Sequence, residues 1–302
     1  MALNQTACPG EGNGKTLLTM NRVGLTFDSS VTWRRDSTLH TCAFSQCSDT
    51  VRLERSVLET ENGYRLSLKV RNISGDEILI EAMDLLRIDS AQALDLGVPW
   101  SSIQVYTHGR HKNDIPYVIR LDASEASRTA VKSGLRENGT GFEVREEDLR
   151  VRSDTMTLLK GEDRCLLLGY SGGDRLFCRT TISLDGSSPA LISGCTPNVV
   201  LKAGQTLESE ELLIRAGEDW HSLTAEWAEE KAERFGVPQN RRPAPAVFCT
   251  WYYYGLTISW DDIRENLEQI RKKRIPYDVF QIDEGWEKSS GSGLRTNVSR
   301  YR

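Results

Sequence analysis

The sequence predicts a mixed architecture: a large antiparallel β-sandwich, then the first strand–helix–strand of a parallel α/β domain. Three observations carry that reading. From about residue 16 to 216, short apolar stretches are broken by turn residues. Helical periodicity begins only after Gly217. Three prolines fall within residues 237–245 (VPQNRRPAP), a composition that excludes regular structure and makes a stiff linker. The domains are therefore expected at 1–236, with a closing helix, and at 246–302, joined by the linker 237–245.

Taken in order, Tyr64, Leu66, Leu68 and Val70 alternate with Arg65, Ser67, Lys69 and Arg71, the period of a half-buried strand. Residues 72–76 (NISGD) supply turn chemistry, and residues 78–88 resume the pattern as the expected hairpin partner. Similar signals recur at 117–121, 165–170, 177–184 and 211–215. Many strands and few helices point to a sandwich. Trp220, Leu223 and Trp227 then fall at helical spacing, with Gly236 at the C-cap position of a helix that closes the sandwich. After the linker, 246–251 reads as a short strand, and Ser259 with Asp262 as the capping pair of a helix. Ile263, Leu267 and Ile270 form its apolar stripe, and Arg271 to Arg274 complement its C-terminal dipole. Residues 277–283 (YDVFQID) read as a second strand, which implies parallel pairing through a right-handed crossover. A closed TIM-type (β/α)8 barrel takes about 250 residues, so the segment after the linker is expected to hold only its opening unit, a truncated barrel, or a βαβ that leans on the sandwich.

The chain has 302 residues, 38 Lys+Arg against 43 Asp+Glu and a net charge of −5, the profile of a soluble globular protein. There is no basic face for a phosphate backbone, so no nucleic-acid partner is expected. No apolar run approaches the ~20 residues of a membrane span, so no membrane partner is expected either. The N-terminus lacks the features of a secretory signal, and the expected compartment is the cytoplasm. Seven scattered cysteines read as reduced thiols that mostly pack. His108 and His111 are the one weak metal-type spacing, and no metal or cofactor is expected. Residues 10–16 (GEGNGKT) end like a phosphate loop but lack its first glycine and its strand. Sequons at Asn4, Asn72, Asn138 and Asn297 carry little weight without a signal peptide.

The densest candidate chemistry is CTWYYYG (249–255) with FQIDEGWEK (280–288), both at expected strand ends. In βα barrels the active site gathers at the C-terminal ends of the strands. Asp283 and Glu284 would point into a pocket rimmed by Trp251, Tyr252 and Trp286. Carboxylates accept hydrogen bonds from sugar hydroxyls while an indole packs on the apolar face of the ring. The same residues also fit a strand-end turn with core aromatics. The loop 105–116 (VYTHGRHKNDIP) offers His108, Arg110, His111 and Asp114, read either as a lid on a site or as a solvated turn. Trp100 is a further lid aromatic or a packing residue.

The run AVFCTWYYYGLTISWDDIRENLEQIRKKRIPYDVFQIDEGWEK resembles the first βαβ of the catalytic barrel in glycoside hydrolase family 36, the α-galactosidases and their raffinose-synthase relatives. VLKAGQTLESEELLIRAGEDWHSLTAEWAEEKAERFG resembles the closing strand and connecting helix of that family's N-terminal β-supersandwich. The resemblance implies that Asp283 and Glu284 match the paired acids that bind galactose hydroxyls, with Glu284 in place of the usual Asp, and that Trp251 matches the aromatic ending the first barrel strand. It implies retaining hydrolysis of an α-galactoside or related oligosaccharide, with the nucleophile and acid/base on later strands and no catalytic residue within the chain, which alone should be inactive. It also implies that a sandwich loop such as 105–116 closes the sugar site. A raffinose- or stachyose-synthase-like transglycosylase and a non-catalytic carbohydrate-binding scaffold stay open as alternatives, as does homo-oligomer formation.

Overall fold

The computed structural model describes residues 2–6, 15–46, 48–109, 116–122, 141–145, 148–185, 188–237 and 243–286. The chain divides into two compact units, Met1–Val237 and Pro238–Arg302.

The first unit is mostly antiparallel sheet, the arrangement of a β-sandwich. One sheet runs Ala2–Thr6, Val51–Thr60, Gly63–Asn72, Leu212–Gly217, Cys165–Tyr170, Met156–Lys160, Gln104–Thr107 and Val118–Arg120, with Thr206–Glu208 also paired to Gly63–Asn72. The other runs Gly141–Arg145, Asp148–Asp154, Phe177–Asp185, Ser188–Thr196, Ile78–Ile88, Val23–Arg35 and Thr16–Met20, with three shorter strands attached. Their apolar faces share one core: Leu53, Leu66, Leu68 and Ile214 from the first sheet, and Leu25, Val31, Ile80 and Ile182 from the second, are all buried. The alternation at 64–71 appears as read, with Leu66, Leu68 and Val70 inside.

Ile78–Ile88 has the expected bounds but is not the hairpin partner of Gly63–Asn72. It lies in the other sheet, between Ser188–Thr196 and Val23–Arg35. The reason is Asn72, which is fully buried. Its Nδ2 donates to the carbonyls of Asp76 (2.7 Å) and Leu201 (2.9 Å), and its Oδ1 accepts from the Ser74 amide (3.0 Å) and hydroxyl (2.7 Å). These four bonds make residues 72–76 an arch that carries the chain from one sheet to the other instead of folding it back within one.

A second crossing is sharper. Asp148–Asp154 belongs to one sheet and Met156–Lys160 to the other, and the single residue between them, Thr155, has φ +59°. Its amide donates to Cys178 in the first of these sheets (3.3 Å) and its carbonyl accepts from Tyr170 in the second (2.8 Å). A β-branched residue in the left-handed region is strained by roughly 1–3 kcal/mol, so the surrounding bonds must hold it there.

Helix α1 (Trp220–Arg234) starts on Asp219, whose carboxylate accepts from the His221 and Ser222 amides. It ends at Gly236, φ +58°, where the chain turns through amide bonds from Gly236 to Glu233 and from Val237 to Ala232. Helix α1 lies on the outer face of the first sheet. There Leu223 and Trp227 pack with Met156, Leu158, Leu167 and Leu213. Above them, Arg65 and Arg215 both pair with Glu230.

The second unit contains two short parallel strands, Val247–Cys249 and Val279–Gln281, joined by the one-turn helix α2 (Trp251–Tyr254) and helix α3 (Trp260–Lys273). Helix α3 has the expected capping box: the Ser259 amide donates to Asp262 Oδ2 (2.9 Å) and the Asp262 amide to Ser259 Oγ (3.3 Å). Ile263 and Ile270 are its buried stripe. The first strand is shorter than read, because Trp251 already begins α2. Among the described residues no helix is long and apolar enough to cross a membrane.

Candidate functional site

Parallel pairing sets Cys249 opposite Gln281, so both strands end at the same edge of the small sheet. Trp251 and Tyr252 follow the first strand; Asp283, Glu284 and Trp286 follow the second. The five candidates described here thus gather at the C-terminal end of the strand pair. Arg110, His111 and Asp114 lie outside the described residues.

The junction is tied by short-range bonds. Buried Thr250 accepts the Asp283 amide on its hydroxyl (3.0 Å), while its own amide donates to the Gln281 carbonyl (3.2 Å). The half-buried Asp283 carboxylate accepts from Gln281 Nε2 (2.8 Å) and the Cys249 thiol (3.4 Å) on Oδ2, and from the Glu284 amide (2.8 Å) on Oδ1. Gly285 follows with φ +104°, and a Cβ there would stand 2.9 Å from the Leu256 carbonyl carbon, so glycine is required for the chain to pass. The result is an oriented carboxylate with an exposed one, Glu284, beside it. Trp251 is 40% exposed and Tyr252 is 90% exposed. Trp286 is half-buried. Tyr254, by contrast, is anchored: its hydroxyl accepts from Asn266 of α3 at 2.6 Å.

Thr250, Cys249 and Gln281 are members of this junction that sequence reasoning missed. Cys249 opens the run 249–255 singled out in the sequence, where it reads as a packing thiol.

In the first unit, His108 is half-buried, with Nδ1 3.0 Å from Thr155 Oγ1 and 3.3 Å from the Asp154 carbonyl. Its ring meets Trp227 edge-on at 6.1 Å. His108 therefore braces the Thr155 crossing. Asp154 itself is buried and accepts from Arg179 Nε at 2.8 Å. Trp100 is buried and donates to the Ala91 carbonyl (3.0 Å), a packing role. Among the described residues, no group of three or more His, Cys, Asp or Glu side chains could hold a metal ion.

No family model matches the chain. Among solved structures it is similar to the galactosidase domain of the α-galactosidase–sucrose kinase AgaSK, with 11% identity and a TM-score of 0.50 over 99% of this chain and 39% of that one. It is also similar to the α-galactosidase from Lactobacillus brevis, with 11% identity and a TM-score of 0.48 over 96% and 36%. The third is the GH36 α-galactosidase AgaB from Geobacillus stearothermophilus, with 9% identity and a TM-score of 0.48 over 99% and 39%. The chain spans less than two-fifths of the length of these proteins, and at such identity the likeness to AgaSK speaks to fold alone.

Proposed function

We propose that this chain forms the sandwich and opening barrel unit of a retaining α-galactoside hydrolase and supplies the first part of its sugar subsite. The observation that carries the reading is the gathering of Asp283, Glu284, Trp251 and Tyr252 at the C-terminal end of a parallel strand pair. The fold likeness to a galactosidase domain agrees with it.

In this reading Asp283, held in place by Cys249 and Gln281, accepts hydrogen bonds from ring hydroxyls, with Glu284 as its partner. Trp251 and Tyr252 present ring faces to the apolar side of the sugar. The nucleophile that forms the glycosyl-enzyme and the acid that protonates the leaving oxygen belong to later strands of the barrel.

The test compares two proteins for release of nitrophenol from an aryl α-galactoside: residues 1–302 alone, and the full product of the reading frame that contains them. Turnover by the second and none by the first is expected. Turnover by the 302-residue chain, with contaminating enzyme excluded, overturns the assignment of catalysis to later strands. A longer product that is folded and inactive on every α-galactoside tried favours the non-catalytic scaffold.

A further inference from the structure

Cys178 and Cys195 occupy directly opposed positions on the antiparallel strands Phe177–Asp185 and Ser188–Thr196. Both are buried, and their sulfurs are 3.7 Å apart. The carbonyl of Cys178 accepts from the Thr155 amide on the opposite side of its strand. The backbone groups of Cys178 therefore point away from Cys195, which makes this a non-hydrogen-bonded pair, the class with the closer Cα spacing of about 4.5 Å. That spacing lies within the about 4.4–6.8 Å that a disulfide spans. The Cys178 thiol also donates to the Leu176 carbonyl at 3.4 Å, an arrangement that leaves its sulfur to accept from Cys195.

We propose that Cys178 and Cys195 are a dithiol site that a small hydroperoxide oxidises to an intrasheet disulfide. One cysteine loses its proton, and its thiolate attacks a peroxide oxygen. The O–O bond breaks, giving a sulfenic acid and a hydroxide that takes up the proton as water. The second thiolate then attacks the sulfenic sulfur; the S–O bond breaks, the S–S bond forms and a second water leaves. Two thiols and one hydrogen peroxide become one disulfide and two waters. In this proposal so small an oxidant reaches the pair by local opening of the strands around it. The closed disulfide staples the two strands of this hairpin across the ten-stranded sheet.

The experiment treats the purified 302-residue chain with hydrogen peroxide under native conditions, blocks remaining thiols and maps tryptic peptides without reduction. Fragment 176–179 linked to fragment 180–202 is expected, at least tenfold above any linkage involving Cys42, Cys165 or Cys249, and reversed by dithiothreitol. Cys195→Ser should abolish the link and leave a sulfenic acid on Cys178 that dimedone traps, while Cys249→Ser should leave the link unchanged. Absence of the 176–179/180–202 link while the half-buried Cys249 is oxidised overturns the proposal, as does a link that forms only after denaturant is added.

Discussion

The indole of Trp227 occupies the space that a side chain at Gly169 would need: a Cβ on Gly169 would stand 2.5 Å from Trp227 Cδ1. The same indole donates to the Tyr170 carbonyl at 3.2 Å, so α1 is seated on the sheet by one ring in one notch. Gly169→Ala is therefore expected to lower stability by about 1–3 kcal/mol, the usual effect of overpacking, and to change the near-ultraviolet tryptophan signal. An unchanged urea midpoint would mean that α1 moves aside freely.

Glu230 of the same helix is gripped by Arg65 and Arg215 from neighbouring strands, with Arg65 also on Glu211 (2.8 Å). The Glu230 carboxylate is only partly exposed, so removing its charge leaves two arginines facing each other without it. Glu230→Gln is expected to destabilise the first unit by about 2 kcal/mol, between the surface and buried limits for ion pairs. A double-mutant cycle with Arg215→Gln checks whether the loss is this contact.

Burial raises the Asp84 carboxyl above its ordinary pKa of 3.8, opposed by the Ser30 hydroxyl at 2.9 Å and by Arg87 at 3.7 Å. The folded chain then keeps a proton that the unfolded chain has lost, so between the ordinary and the raised value stability falls as pH rises, and the loss persists at neutral pH. Asp84→Asn should remove this fall and raise the neutral-pH unfolding midpoint by about 2–4 °C. A variant less stable than the parent at pH 7 would place the Arg87 pairing above desolvation.

Under the proposed function, Asp283→Asn in the full reading-frame product is expected to lower kcat/KM for α-galactosides at least tenfold, since a charge-assisted hydrogen bond is worth about 1.5–3 kcal/mol. Asparagine keeps an acceptor for the Glu284 amide or the Cys249 thiol, so the unfolding midpoint should move by only a few degrees. Thr250→Val is the counterpart: it removes the acceptor of the Asp283 amide and should act on stability first. If Asp283→Asn unfolds the protein while its folded fraction keeps full activity, the residue is a turn acid.

The inward faces of the strands were legible because a two-residue period reports burial directly, as at Leu66, Leu68 and Val70. Neighbours were not, because alternation carries no record of which strand lies alongside. Residues 72–76 read as a hairpin turn, and only the four buried bonds of Asn72 make them an arch between sheets. The capping box of α3 was legible because Ser259 and Asp262 act within one turn of helix. At the strand-end junction, Asp283, Trp251 and Tyr252 stood out by residue type and position. Thr250, Cys249 and Gln281 did not, because their bonds depend on the register of two strands some thirty residues apart. His108 read as a polar loop residue; that it braces Thr155 follows from a chain crossing that local pattern does not encode.

Asn72 also begins the sequon Asn72-Ile73-Ser74, with its amide nitrogen spent on two carbonyls in the interior. Oligosaccharyltransferase acts on that nitrogen while the chain is still extended, so a glycan added there would have to be expelled from the core before the sheets could close. Production through a eukaryotic secretory route would therefore set glycosylation against folding at this one position. A bacterial cytoplasm, or Ser74→Ala in a secretory host, removes that competition, although Ser74→Ala gives up the hydroxyl that Asn72 Oδ1 accepts from.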